Sequence, residues 1–226
     1  MQNTALNLIF KGNNFFRLMS GLVATTKVAF ISIFISLIIG ILFGLIYSTK
    51  NKNIKFFCRL YLELFRVIPI LVWLFIFYFG IPKLLNIDIN GEFVAIVVFI
   101  LWGVAETGDI ARGAIESLPK HQLESAKALA LNKFQLYVYI LLPQAFRRIL
   151  PGIINLSTRM IKTTSLIVMV GVIDIVKIGQ QIIESNLLKV PDASFWIYGL
   201  IFFIYFAICY PLSKYSKYLE NKWNKW

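Results

Sequence analysis

The sequence predicts an all-α integral membrane protein with about five membrane-spanning helices, and three observations carry that reading. Of 226 residues, 58% are hydrophobic and only 15% are charged, against roughly 45–50% and about 25% in soluble domains. The mean hydropathy is +0.74. From Val28 to Thr49 the chain runs 22 residues without a charge; at about 1.5 Å per residue this spans about 33 Å, enough for a bilayer core of about 30 Å. Charge-poor stretches then recur along the chain. The formal charge of +12 invites a nucleic-acid reading, but the cations form no stripe interleaved with aromatics.

The elements follow in order within one transmembrane domain, residues 1–226. The first span is expected at about 22–49. Met1 to Ser20 lacks a compact apolar core, and the run that follows is too long for a signal peptide and lacks a small-residue exit, so it is read as a retained helix. Spans two to five are expected at about 62–82, 93–113, 149–173 and 194–213, with a long loop at about 114–148. The third extends through Glu106 and Asp109 if those carboxylates face a protein interior, where intramembrane charges usually point. The fourth needs the same allowance.

Loop charge orients the chain. Lys50, Lys52, Lys55 and Arg59 stand together without an acid, six cations face two acids between Arg112 and Arg148, and the tail from Lys214 is basic. These regions are expected on the cytoplasmic side. The intervening loops are net acidic, so the N-terminus is expected outside and the C-terminus in the cytoplasm. Lys11 and Arg17 oppose this mildly.

Small residues recur every fourth position at Ser32, Ser36, Gly40, Gly44 and Ser48, a face along which another backbone approaches closely. Asn155, Arg159 and Lys162 share one face of the fourth span. A cation in hydrocarbon costs about 2.5–3.5 kcal/mol on insertion scales, so this face is expected to meet protein, water or acid, with Glu63, Glu106 and Asp109 as partners. The alternative is that Arg159 reaches the cytoplasmic boundary and Lys162 alone is deep. In the long loop, Lys120, Glu124 and Lys127 take one helical face and Leu123, Ala126 and Ala130 another. That period fits equally a helix that docks a partner and one lying on the membrane surface.

Chemistry-bearing motifs are missing. There is no phosphate-binding G-x-x-x-x-G-K-[ST] loop, no H-E-x-x-H and no G-x-S-x-G. No catalytic residue and no metal ligand set is assigned. Cys58 and Cys209 support neither a disulfide framework nor a metal site.

Several motifs in order resemble the permease subunits of bacterial ATP-binding-cassette (ABC) importers, most closely the polar amino-acid uptake group. Glu124-Ser125-Ala126, then Ile140-Leu141-Leu142-Pro143-Gln144-Ala145 and Leu150-Pro151, are similar to the family's cytoplasmic coupling loop. Leu64-Phe65-Arg66-Val67-Ile68-Pro69 is similar to the second-span signature, and Lys162-Thr163-Thr164-Ser165-Leu166 to that of the fourth. Ser125, Ala130 and His121 stand where the family usually has Ala, Gly and Gly, and Val67-Ile68 replaces Gly-Thr.

The resemblance implies a type I importer (MetI-like) permease fold in a bacterial cytoplasmic (inner) membrane. A helix at about 119–131 would couple to a separate ATPase dimer, with Pro119, Gln122, Glu124, Ser125, Ala126, Ala130 and Pro143 as coupling residues. Glu63, Arg66, Pro69, Glu106, Asp109, Asn155, Arg159, Lys162 and Ser165 are the candidates for the bundle interior or translocation path. ATP and Mg would be bound by the partner, and this chain would carry no cofactor. The implied partners are that ATPase, a second permease (a copy or a relative), an external amino-acid-binding protein, a polar amino acid as substrate and the lipid bilayer. The competing classes are a membrane-integral enzyme, for which no convergent acid, base or metal set is found, and a stand-alone ion-coupled transporter, which predicts inverted repeats that five spans cannot supply.

Overall fold

The computed structural model describes residues 5–118 and 131–223, which form helices and connecting turns without a strand among the described residues. A short α1 (Ala5–Phe10) leads into α2 (Asn14–Tyr47). Next come α3 (Lys52–Val67), α4 (Ile70–Phe75, continued by a π turn to Leu85) and α5 (Gly91–Glu116). After a π turn at Leu136–Leu141 come α6 (Leu142–Thr163), α7 (Ile175–Asn186) and α8 (Ala193–Trp223).

Local chemistry sets these boundaries. The Asn51 side chain accepts the amides of Asn53 and Ile54 to start α3, and Asn90 accepts the amide of Glu92 to start α5, each relieving amides that have no partner inside the helix. Ile68 precedes Pro69 and is held extended, at ψ 127°, because the proline ring disfavours the helical region before it. There the chain turns by 97° between Lys52–Val67 and Ile70–Leu85. Asn86 closes α4 in the left-handed region, at φ 57°, a conformation Asn tolerates better than most residues.

The helical spans depart from the sequence expectation in three ways. Four helical stretches, 14–47, 91–116, 138–170 and 193–223, are long and apolar enough to cross a membrane, and five are reached only when the bent pair counts as one. The second span expected at 62–82 is therefore broken at Pro69, where an uncharged run hid a proline turn. The first starts earlier than residue 22, because Asn14–Gly21 continue the same helix. The long loop is shorter than 114–148, because α5 persists to Glu116 and helical structure resumes at Lys133, so the fourth helical stretch begins before residue 149 and the fifth runs on past 213 to Trp223.

The small-residue face of α2 lies directly on α5. A methyl group added at Gly40 would sit 2.5 Å from Thr107 Cβ, one at Gly44 2.6 Å from the Gly108 carbonyl, and one at Gly103 2.6 Å from Ser36 Oγ. The partner of this face is thus within the same chain, and glycine is required because two backbones meet there. Val28, Leu74, Val98, Phe99, Leu156, Met160 and Ile167 form the central core where α2, α4, α5 and α6 meet. A second core joins the start of α2 to α7 and α8 through Leu18, Ile175, Ile182 and Ile197. Buried Ser216 Oγ donates to the Pro151 carbonyl at 2.8 Å, tying α8 to α6. Phe30, Phe34, Phe202 and Phe203 are exposed, an apolar exterior that suits lipid and would be costly in water.

Candidate functional site

Charged side chains gather where α3, α5 and α6 meet. Along α5, Glu106, Asp109, Arg112 and Glu116 follow at helical spacing, so they share a face and meet their neighbours. Arg66 at the end of α3 reaches Asp109 at 2.7 Å and Glu106 at 3.8 Å. Arg112 donates to the other Asp109 oxygen at 2.7 Å and pairs with Glu116. Arg159 of α6 closes on Glu106 and lies over the Trp102 ring. Arg112 lies over Tyr47 in the same way, 4.9 Å from the ring centroid. Lys55 extends the row to Glu116 at 3.5 Å.

The row alternates in sign, and exposure differs most between Glu106 and its two arginines. Glu106 is only 12% exposed, whereas Arg66 and Arg159 are 46% and 53% exposed. Glu106 thus anchors two half-exposed guanidiniums, while Arg112 is more enclosed than its partner Glu116. Guanidinium is suited to such a place because its planar fork binds carboxylates in two-point fashion. A face of this kind can hold a small molecule bearing both charges.

The structure brings Arg66, Glu106, Asp109 and Arg159 together as the sequence suggested. Lys162 does not join them: it is exposed and pairs with no carboxylate among the described residues, which corrects the expectation for that residue. It lines instead a cavity of about 360 Å³ with Phe202, Tyr205, Phe206, Cys209, Tyr210 and Ser213. Glu63 is also displaced from the expected partnership; it lies 3.9 Å from Arg59 on its own helix, in an exposed pair. Asn155 opens onto a separate cavity of about 860 Å³ between α5, α6 and the end of α8, beside Arg147, Arg148 and Glu220. Ser165 Oγ donates to the Lys162 carbonyl, and Pro69 makes the bend between α3 and α4. Pro143 sits in the first turn of α6. Pro119, Gln122, Glu124, Ser125, Ala126 and Ala130, with most of the 119–131 helix, lie outside the described residues.

Three members of the row, Lys55, Arg112 and Glu116, were not among the candidates read from the sequence; for Arg112 and Glu116, the signal was present in the i, i+3 and i+4 spacings that follow Glu106 along α5. Trp102 and Tyr47, which back the guanidiniums, left no such signal, since only the packing of α5 against α6 and α2 brings them there.

Residues 36–225 match the family of binding-protein-dependent transport system inner membrane components. The chain belongs to that family. Among curated relatives, a putative glutamine transport system permease protein, GlnP, of Rickettsia prowazekii (strain Madrid E) is 33% identical over 72% of this chain and 75% of its own. A probable amino-acid ABC transporter permease protein, YckA, of Bacillus subtilis (strain 168) is 31% identical over 91% of this chain and 88% of its own. A crystal structure of an amino acid ABC transporter with histidines superposes with TM-score 0.84 at 25% identity, covering 98% of this chain and 100% of that one. The MetNI methionine ABC transporter, inward facing, shares the fold with TM-score 0.61 at 19% identity over 90% of this chain and 96% of that chain. The chain is therefore a membrane-spanning transport component of MetI-like fold, a permease and not an enzyme by family, of the bacterial inner membrane. ATP coupling through a separate subunit and delivery by a binding protein are general to such permeases.

Proposed function

We propose that this chain is one permease half of an importer that carries a polar amino acid across the cytoplasmic membrane, driven by a separate ATPase dimer. The observation that carries the reading is the superposition of nearly the whole chain on an amino acid ABC transporter. Relatives whose names specify glutamine or amino-acid transport support the same substrate class. The charged row adds a chemical reason, because the half-exposed guanidiniums of Arg66 and Arg159 suit a substrate carboxylate.

In this reading the helix at about 119–131 docks the ATPase, which binds ATP and Mg, and this chain holds no cofactor. Pro119, Gln122, Glu124, Ser125, Ala126, Ala130 and Pro143 form the coupling region. Asn155, Lys162 and Ser165 remain candidates for the translocation path, with Glu63 and Pro69 on the α3 side. The basic loops face the cytoplasm with the C-terminus, and the N-terminus faces outward. The second half is a copy of this chain or a related permease, and an external binding protein delivers the amino acid.

Purification from mild detergent tests the assembly. The complex should retain an ATPase, a second permease chain and a binding protein, and Glu124→Lys should lose the ATPase while still inserting in the membrane. Full ATPase retention by that variant would overturn the coupling assignment.

A further inference from the structure

After α6 the chain makes a 3-10 turn at Thr164–Val170, passes Gly171 at φ 77° and enters α7 at Asp174. Asp174 is fully buried. Its Oδ1 accepts the Lys177 amide at 2.8 Å and caps α7, while its Oδ2 has no hydrogen-bond partner among the described residues. The Tyr205 hydroxyl of α8 is also buried without a well-formed hydrogen bond. Tyr205 packs against the core that holds Ile175 and Ile178 of α7. Thr25 Oγ1 donates to the Gly21 carbonyl at 2.9 Å and receives the Ile175 amide at 3.3 Å, and Thr164 donates to the Ile161 carbonyl.

Among the described residues, no cation pairs with Asp174. Of the packed elements, α2 contributes Thr25, the 3-10 turn contributes Thr164 and α8 contributes Tyr205, a titratable side chain packed against the same core. Lys177, on its own helix, gives its backbone amide, and no cation stabilises the carboxylate. An ionised carboxyl left in such a place is strongly disfavoured. Burial accordingly pushes Asp174 up to about 6. The neutral form removes the buried charge and supplies one O–H donor. The seat is also tight, since a methyl group at Gly21 would lie 2.8 Å from the Ile175 backbone.

We propose that Asp174 is a proton-held latch, a positioning residue whose neutral carboxyl keeps α7 seated against α2 and α8 and whose ionisation releases α7 about Gly171. The group is harder to ionise in the seated state than in the open one. The seat's extra stability is fully present below the ordinary carboxylate value and is lost as pH rises through about 6. This rests on the orientation proposed above only in naming the compartment, which there is the outer one.

Hydrogen exchange of the detergent-purified full chain tests the latch. Protection of residues 175–186, corrected for intrinsic exchange, should fall on the order of tenfold from about pH 4.5 to about pH 7.5 and then level off. Asp174→Asn keeps the cap and a donor, and its protection should stay flat across that range. A flat wild-type profile, or the same slope in the Asn variant, would overturn the proposal, and the wild-type profile decides even if the variant folds poorly. In proteoliposomes with the two pH values set separately, the wild-type uptake profile should differ from that of Asp174→Asn as the outer pH varies. A difference that follows the inner pH alone supports the latch and overturns the orientation; none with either overturns the latch.

Discussion

Arg159 and Lys162 are one turn apart on α6, yet only Arg159 finds a carboxylate, and that contrast is testable. Glu106 anchors both Arg159 and Arg66 and is 12% exposed. Because Arg66 and Arg159 are about half exposed and Arg66 keeps Asp109, losing Glu106 costs less than a fully buried pair would, about 3–5 kcal/mol. Glu106→Ala should still lower the melting temperature in detergent and reduce amino-acid uptake at least tenfold, as read by thermal unfolding and labelled-substrate transport. Lys162→Met should leave the melting temperature within the range of a surface change, about 0.5 kcal/mol, since no pair is broken. An equal loss of stability in both variants would remove the distinction drawn between them.

The helix pair α2 and α5 shows what was legible at the scale of an element. The four-residue recurrence from Ser32 to Ser48 pointed to a close-packed face, and the structure seats it on Thr107, Gly108 and Ala111 of the same chain. Gly44→Val should force the Gly108 carbonyl and the Ala111 methyl aside at about 1–3 kcal/mol. Gly113→Ala, where an added methyl meets nothing within 4 Å, should match or slightly exceed wild-type stability. The pair is checked by comparing detergent melting temperatures. The second span was less legible. Apolar residues run unbroken from Val67 to Pro82, so hydropathy alone spans the bend that Pro69 creates. The start of the fourth helical stretch was hidden for the opposite reason: Arg147 and Arg148 lower its hydropathy, although the backbone is already helical there.

At the scale of the whole molecule, charge patterning was legible as to which parts are membrane and which are loop. The pairing of the interior charges was not, because it depends on how three helices meet. Arg66 belongs to α3, Asp109 to α5 and Arg159 to α6, and no spacing along the chain specifies that they converge. The resemblance covered the fold and the family, while Asp174 stayed invisible to it because a buried cap reads as an ordinary loop acid. Family membership supports the proposed assignment of the driving force to another subunit.

That assignment is the central claim, and uptake by purified components tests it most directly. The chain is reconstituted with its copurifying permease, ATPase and binding protein in proteoliposomes, and uptake of a labelled polar amino acid is followed with and without ATP. The account predicts accumulation that requires ATP together with the ATPase and is abolished by omitting either. Accumulation by this chain alone, driven by an ion gradient and indifferent to ATP, would contradict it.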